Sequence, residues 1–353
     1  MCSLRRITGF LLLASTTLAT PCPSHHWGPE EWKALVTFGN SYTDDSRLGY
    51  FGSHDGEAPP VGWEQPVSNA SASGGYNWGH FASQSADLKR YNYAVSGAVC
   101  SNKITPRTFD SIGAPFPSVL EYEIPAYIAD SEYITPDGTK FMDAQSEETV
   151  YAIWIGTNDV GNGAFLTDAQ VNGATIPDYI DCIYEALDRV YANGGRYFVI
   201  MNLAPLQLSP QYATPENGGL SSTSYYPDKG ANITEISYRM WETVVTVNSV
   251  LQYRTPFEVV IARRYPGAQF AVMDTYGLIS DIYYHPTRYL ETPANVTGYV
   301  KHCDKEGQNC TEKPNAAAYL WYDELHPSER TDEVIGKEFV KVVEGESRWA
   351  TYW

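Results

Sequence analysis

Short apolar runs and helically periodic segments alternate along most of the chain. Ala34-Leu-Val-Thr-Phe38, Thr149-Val-Tyr-Ala-Ile-Trp-Ile155, Arg196-Tyr-Phe-Val-Ile-Met-Asn-Leu203 and Gln269-Phe-Ala-Val-Met273 are dominated by apolar, mostly β-branched and aromatic residues. That is the pattern of strands covered on both faces. Arg90-Tyr-Asn-Tyr-Ala-Val-Ser-Gly97 alternates and then turns, which predicts a further strand ending at Ser96-Gly97. Helices are expected at Trp78–Ser85, at Val119–Asp130 and at Pro177–Tyr191, where Asn193-Gly194-Gly195 supplies a stop. Two more follow, Ile233–Arg264 with a break at Thr255-Pro256, and Thr331–Val343. Strands alternating with helices predict an α/β protein with a parallel, helix-covered sheet. No internal repeat or linker-like stretch divides the chain, so one domain is expected over residues 20–353.

Three segments break the alternation: Phe51–Tyr76, Ala204–Gly230 and Tyr283–Pro314, all rich in Gly, Pro, Ser or Thr. Loops this long in a compact enzyme usually serve function. Trp63, Tyr76 and Trp78 lie in or beside the first loop, either as anchors or as substrate contacts.

Arg5-Arg6 precede the apolar run Ile7–Leu18, and Leu18-Ala19-Thr20 offers small residues for cleavage. This reads as a secretory signal peptide over residues 1–19, too short to span a bilayer. Sequons at Asn69, Asn232, Asn295 and Asn309 agree with export and glycosylation. Of the 6 Cys, Cys2 would leave with the leader. Cys303 and Cys310 can close a small loop, whereas the pairing of Cys22, Cys100 and Cys182 stays open. The net charge of -18 argues against nucleic acid and anionic membranes, which need clustered Lys and Arg. No Cys or His spacing suggests a metal site, and no cofactor is expected.

The chemistry gathers where strands end. Gly39-Asn40-Ser41, Ser96-Gly97 and Gly156-Thr157-Asn158 each close a strand, and Asp323-Glu-Leu-His326-Pro327 precedes the last helix. A serine hydroxyl needs a base to become a nucleophile, and His is the usual base near neutral pH. An Asp three residues before a His can reach Nδ1–H and leave Nε2 facing the serine. The backbone N–H groups of Ser41 and Gly97 and the Asn158 side chain would then hold an oxyanion. His285, with Asp281 one helical turn earlier, is the rival base.

Phe38-Gly-Asn-Ser-Tyr-Thr-Asp44, Asn92-Tyr-Ala-Val-Ser-Gly97, Ile155-Gly-Thr-Asn-Asp159 and Asp323-Glu-Leu-His326 resemble the four blocks of the GDSL, or SGNH, hydrolases. The resemblance implies a flavodoxin-like three-layer α/β/α sandwich and esterase activity. It also implies a Ser41 nucleophile, an Asp323–His326 pair and an oxyanion hole of Ser41, Gly97 and Asn158. Asn40 stands where the family usually has Asp. The wider context around Ser41 is similar to secreted fungal acetyl esterases of carbohydrate esterase family 16. That similarity implies a secreted enzyme deacetylating hemicellulose-derived sugars; a monomer acting on an acetylated carbohydrate is expected. Two other readings are a lipase or phospholipase on longer acyl chains and an inactive carbohydrate-binding protein of the same fold.

Overall fold

The computed structural model describes residues 27–29, 31–304 and 307–353. The expected leader, with Cys2, and Cys22 lie outside them. Five strands form the parallel part of the sheet: β1 (Ala34–Gly39), β2 (Lys89–Asn92), β3 (Thr149–Trp154), β4 (Tyr197–Met201) and β5 (Gln269–Met273). Their order is β2-β1-β3-β4-β5, the flavodoxin-like arrangement. β1 is central, with Ala34 opposite Lys89 on one side and Thr149 on the other. Every residue of β1 and β3 is buried, which explains their unbroken apolar character.

Among the described residues, seven α-helices accompany the sheet: α1 (Arg47–Ser53), α2 (Trp78–Ala86), α3 (Ile124–Glu132), α4 (Ile176–Ala192), α5 (Ile233–Pro256), α6 (Thr275–Tyr284) and α7 (Glu329–Val343). The chain steps one way from β1 to β2 and the other way from β2 through β5. Right-handed crossovers therefore place α2 on one face and α3, α4 and α5 on the other. α7 packs against α2 and α6, completing the first face. Local sequence sets the boundaries. Thr175 and Asp178 form a capping box at the start of α4, and Ser328 caps α7 through Thr331 N. At Pro256 the α-helical hydrogen-bond pattern of α5 gives way to a wider turn, Phe257–Ile261.

The structure departs from expectation in four places. A sixth strand, β6 (Ala350–Tyr352), pairs antiparallel with β5, so the sheet is not parallel throughout. The strand read as Arg90–Gly97 is paired only to Asn92, after which single bonds from Tyr93 N and Val95 N to Thr37 O and Gly39 O guide the chain along β1. α6 falls where no helix is expected, although Thr275, Leu278, Ile279 and Ile282 lie on one buried helical face, and α1, just after Asp44-Asp45, has no apolar period of its own. The segment Tyr283–Pro314, read as irregular, holds a strand at Asn295–Tyr299 paired with Tyr319–Trp321, and a short ribbon beside the Cys303–Cys310 bridge. The second bridge joins Cys100 to Cys182.

The sheet order reverses between β1 and β3, and in doubly wound sheets ligands bind outside the carboxyl ends of the strands at such a point. The chain delivers Ser41 to that edge directly from β1.

Candidate active site

β1 ends at Gly39, where an added Cβ would come 2.4 Å from Trp154 O, so only glycine lets the two strands stay this close. Asn40 O then accepts from Thr43 N and Asp44 N, both at 2.9 Å, and Asn40 Oδ1 accepts from Tyr42 N at 3.1 Å. This tight turn leaves Ser41 half-buried at the carboxyl edge of the sheet. Asn40 itself is buried, and its Nδ2 has no partner among the described residues. The amide thus makes the turn with its oxygen alone.

His326 reaches the same point from the loop before α7. Its Nε2 lies 2.8 Å from Ser41 Oγ, and its Nδ1 lies 2.9 and 2.8 Å from Asp323 Oδ1 and Oδ2. Asp323 Oδ1 also accepts from Leu325 N at 2.9 Å and His326 N at 2.8 Å, and Oδ2 accepts from the Tyr225 hydroxyl at 2.9 Å. Burial acts to raise the Asp323 carboxyl, but the adjoining His326 and these hydrogen bonds outweigh it and hold it below the usual range. Tyr322 N donates to His326 O and closes the loop. On the other side the Tyr42 ring stands 5.7 Å from the imidazole, with its hydroxyl donating to Leu325 O at 2.8 Å. An imidazole fixed on one edge by a carboxylate and facing a serine on the other can take and return the serine proton.

The remaining strand ends supply donors. Gly97 has φ +93°, a conformation suited to glycine, and Arg107 Nη1 donates to its carbonyl at 2.6 Å. The backbone N–H groups of Ser41 and Gly97 donate to no protein acceptor among the described residues. Asn158 is half-buried and spends one Nδ2–H on Ala98 O at 2.8 Å. Its second N–H has no protein acceptor among the described residues. These three donors could stabilise an oxyanion formed at Ser41.

Buried carboxyl groups tie the loops together. Asp44 Oδ2 accepts from Ser96 N at 2.8 Å, while its Oδ1 accepts from Ser46 N and Arg47 N at the start of α1. Asp159 accepts from Cys100 N at 3.0 and 3.2 Å and from Thr105 Oγ1 at 2.9 Å. Its complete burial pushes its pKa up to about 6 against the pull of those donors. Glu123 Oε2 accepts from Gly39 N at 2.9 Å, and burial raises that carboxyl well above its ordinary value.

The other sequence candidates fall elsewhere. Trp78 is 0% exposed, donates to Thr43 Oγ1 and packs against Trp154 and Phe339, so it is a core residue and not a substrate contact. Trp63 packs on Tyr50 and the Arg47 guanidinium beside a cavity of about 140 Å³. Tyr76 stacks on His80 and borders a separate cleft of about 350 Å³. Neither space is lined by Ser41 or His326. His285 pairs with Asp281 at 2.8 Å on the surface after α6. Asn69, Asn232 and Asn309 are exposed, whereas Asn295 is half-buried and accepts from Gly298 N. Sequence reasoning missed Tyr225, one of 27 Tyr in a loop without period. Asp44, just ahead of α1, makes the bonds to Ser46 N and Arg47 N that a capping Asp at a helix start offers.

The family profile described as GDSL-like lipase/acylhydrolase matches residues 35–339. An acetylesterase of Hypocrea jecorina is 43% identical over 92% of each chain. An acetylesterase of Thermothelomyces thermophilus is 27% identical over 71% of this chain and 83% of its own. Among solved structures, an α/β hydrolase enzyme from the metagenome of Lake Arreo covers 90% of this chain and 96% of its own, with 13% identity and a TM-score of 0.39. The profile spans the fold and all four strand-end and loop sites, and by that match the chain belongs to the GDSL lipase/acylhydrolase family and is an esterase.

Proposed function

We propose that residues 20–353 form a secreted, monomeric serine acetylesterase that deacetylates hemicellulose-derived oligosaccharides without a cofactor. The observation that carries the reading is the line from Asp323 through His326 to Ser41, with Nε2 2.8 Å from the hydroxyl. The names of the two acetylesterase relatives support the acyl group. Two disulfides and four sequons support export.

Ser41 Oγ attacks the acetyl carbonyl carbon as its proton passes to His326 Nε2. The carbonyl oxygen becomes an oxyanion held by Ser41 N–H, Gly97 N–H and Asn158 Nδ2. The C–O bond to the sugar breaks, and the alcohol leaves with the proton from His326. Water then attacks the acetyl-serine, its proton passing to His326 and on to Ser41 Oγ as acetate departs. Asp323 stays ionised throughout and orients the imidazole.

Acetate release from acetylated xylan and xylo-oligosaccharides, measured beside Ser41→Ala, tests the proposal. Release by the native protein and none by the variant is expected; an active Ser41→Ala protein overturns the assignment. A preference for decanoyl over acetyl nitrophenyl esters would overturn the acyl specificity and favour a lipase.

A further inference from the structure

The Asp323 carboxylate has a partner that the catalytic blocks do not supply. Tyr225 comes from the long loop between β4 and α5. Its hydroxyl donates to Asp323 Oδ2 at 2.9 Å, and its ring meets the His326 imidazole edge-on, 5.4 Å between centroids at 77°. Its carbonyl accepts from Asn162 Nδ2 at 3.1 Å, so its backbone is tied to the loop that carries Asn158. The side chain therefore reaches from the oxyanion side of the site, past the base, to the carboxylate. The loop is held to the same segment elsewhere, since Gln211 N donates to Glu324 O at 2.7 Å and Thr223 Oγ1 donates to Gln211 Oε1.

The carboxylate geometry gives this contact a purpose. Nδ1 lies almost equally far from the two Asp323 oxygens, at 2.9 and 2.8 Å, so the imidazole alone does not choose between them. Oδ1 is pinned by the backbone N–H groups of Leu325 and His326. Among the described residues, Oδ2 has only the shared Nδ1–H and the Tyr225 phenol. A phenol donor to Oδ2 stops the carboxylate turning and weakens it as a base, which keeps the imidazole proton on Nδ1. Tyr225 is also 45% exposed, unlike the other residues that hold the pair. Its free surface adjoins the imidazole that must hand a proton to the leaving alcohol, where an amphipathic ring suits a sugar face.

We propose that Tyr225 is a positioning residue for the Asp323–His326 pair and that its exposed ring borders the leaving saccharide. The inference rests on the serine-esterase reading above and adds the role of the loop. Turnover per active site, titrated with a fluorophosphonate, is measured for Tyr225→Phe and Tyr225→Ala on 4-nitrophenyl acetate and acetylated xylo-oligosaccharides. Tyr225→Phe is expected to lower kcat about tenfold on both substrates and to leave KM within about twofold, as loss of a hydrogen bond to a charged group implies. Tyr225→Ala should lose the same kcat and raise KM about fivefold for the oligosaccharide alone. A purely structural role would lower the titrated fraction and leave kcat per site unchanged. Wild-type kcat per site in Tyr225→Phe overturns the positioning role, and an unchanged oligosaccharide KM in Tyr225→Ala overturns the ring's role. If Ser41→Ala retains turnover, the esterase assignment itself falls, an outcome distinct from either.

Discussion

The two disulfides close loops of very different length, and the stability each confers should differ accordingly. Cys100 and Cys182 are 82 residues apart and Cys303 and Cys310 only 7. In the chain-entropy treatment the longer loop restrains the unfolded chain by about 4.5 kcal/mol and the shorter by about 2.5 kcal/mol. Packing points the same way: Cys100 and Cys182 are buried in the core, whereas Cys310 is exposed. Replacing the inner pair by Ala also leaves small cavities, which widens the gap. For a chain of 353 residues, an unfolding entropy of about 0.7 kcal/mol/K turns these values into midpoint shifts of about 6 °C and about 3 °C. Differential scanning calorimetry of Cys100→Ala/Cys182→Ala and Cys303→Ala/Cys310→Ala, at one fixed scan rate, reads both. The inner bridge also anchors the loop that follows Gly97, and Cys100 N is a donor to Asp159. Its loss should therefore lower kcat severalfold, while loss of the outer bridge leaves kcat unchanged. Equal midpoint shifts, or a larger one for the outer pair, would refute the loop-length reasoning.

Three further outcomes are expected. Asn158→Ala removes one oxyanion donor and should lower kcat about 10²–10³-fold with KM steady, by initial rates on 4-nitrophenyl acetate; a loss seen mainly in KM would count against the role. The folded pKa of Asp159, about 6 against an ordinary 3.8, means the native state holds this proton more tightly than the unfolded chain does. Its stabilisation is complete below pH 3.8 and lost as pH rises through about 6, roughly 3 kcal/mol in all. Thermal midpoints of Asp159→Asn should therefore vary less between pH 4 and 7 than those of the native protein, and parallel curves would refute this. His285→Ala should keep full turnover, because the side chain is half-exposed and engaged with Asp281; an inactive variant would move the base away from His326.

β1, β3, β4 and β5 were legible because burial on both faces leaves a continuous apolar signature, as in Thr149–Trp154, whereas β2, Lys89–Asn92, lacks it and was legible only through the alternation that follows. α1 was not, since Gly49 and Gly52 interrupt any period in its 7 residues. α6 mixes β-branched and aromatic residues that favour a strand as readily as a helix. β6 is 3 residues long and owes its conformation to the β5 edge it covers. Ser41, Asp323 and His326, which the structure brings within hydrogen-bond reach of one another, were legible because they lie just past a strand or shortly before a helix, where few residue types fit. Trp78 misled because an aromatic beside a loop looks the same whether it points to solvent or to Phe339. Tyr225 was invisible because its partner, Asp323, lies 98 positions away and no local pattern marks the contact.

The buried acids explain why the catalytic sequences form blocks and are not lone residues. The oxyanion hole proposed for β1, the loop after β2 and the loop after β3 works only if the three are held to fractions of an ångström before substrate arrives. β-sheet pairing ends short of them, since β2 stops at Asn92 and β3 at Trp154. Beyond those points side chains take over. Asp44 binds the nucleophile turn to Ser96, Glu123 binds the end of β1 to the helical segment leading into α3, and Asp159 binds the Asn158 loop to Cys100. Each acid accepts backbone N–H groups that would otherwise be unpaired in the interior, so removing one unfastens a loop and also orphans its donors. Asp44 and Asp159 belong to the same short stretches as Ser41 and Asn158 because a strand-end loop can be fastened only by residues within its reach. In the proposed mechanism the groups that touch the ester and the acids Asp44 and Asp159 that hold them still are therefore neighbours in sequence, whereas Glu123 and Tyr225 arrive from separate segments, Tyr225 tying the base to the same frame.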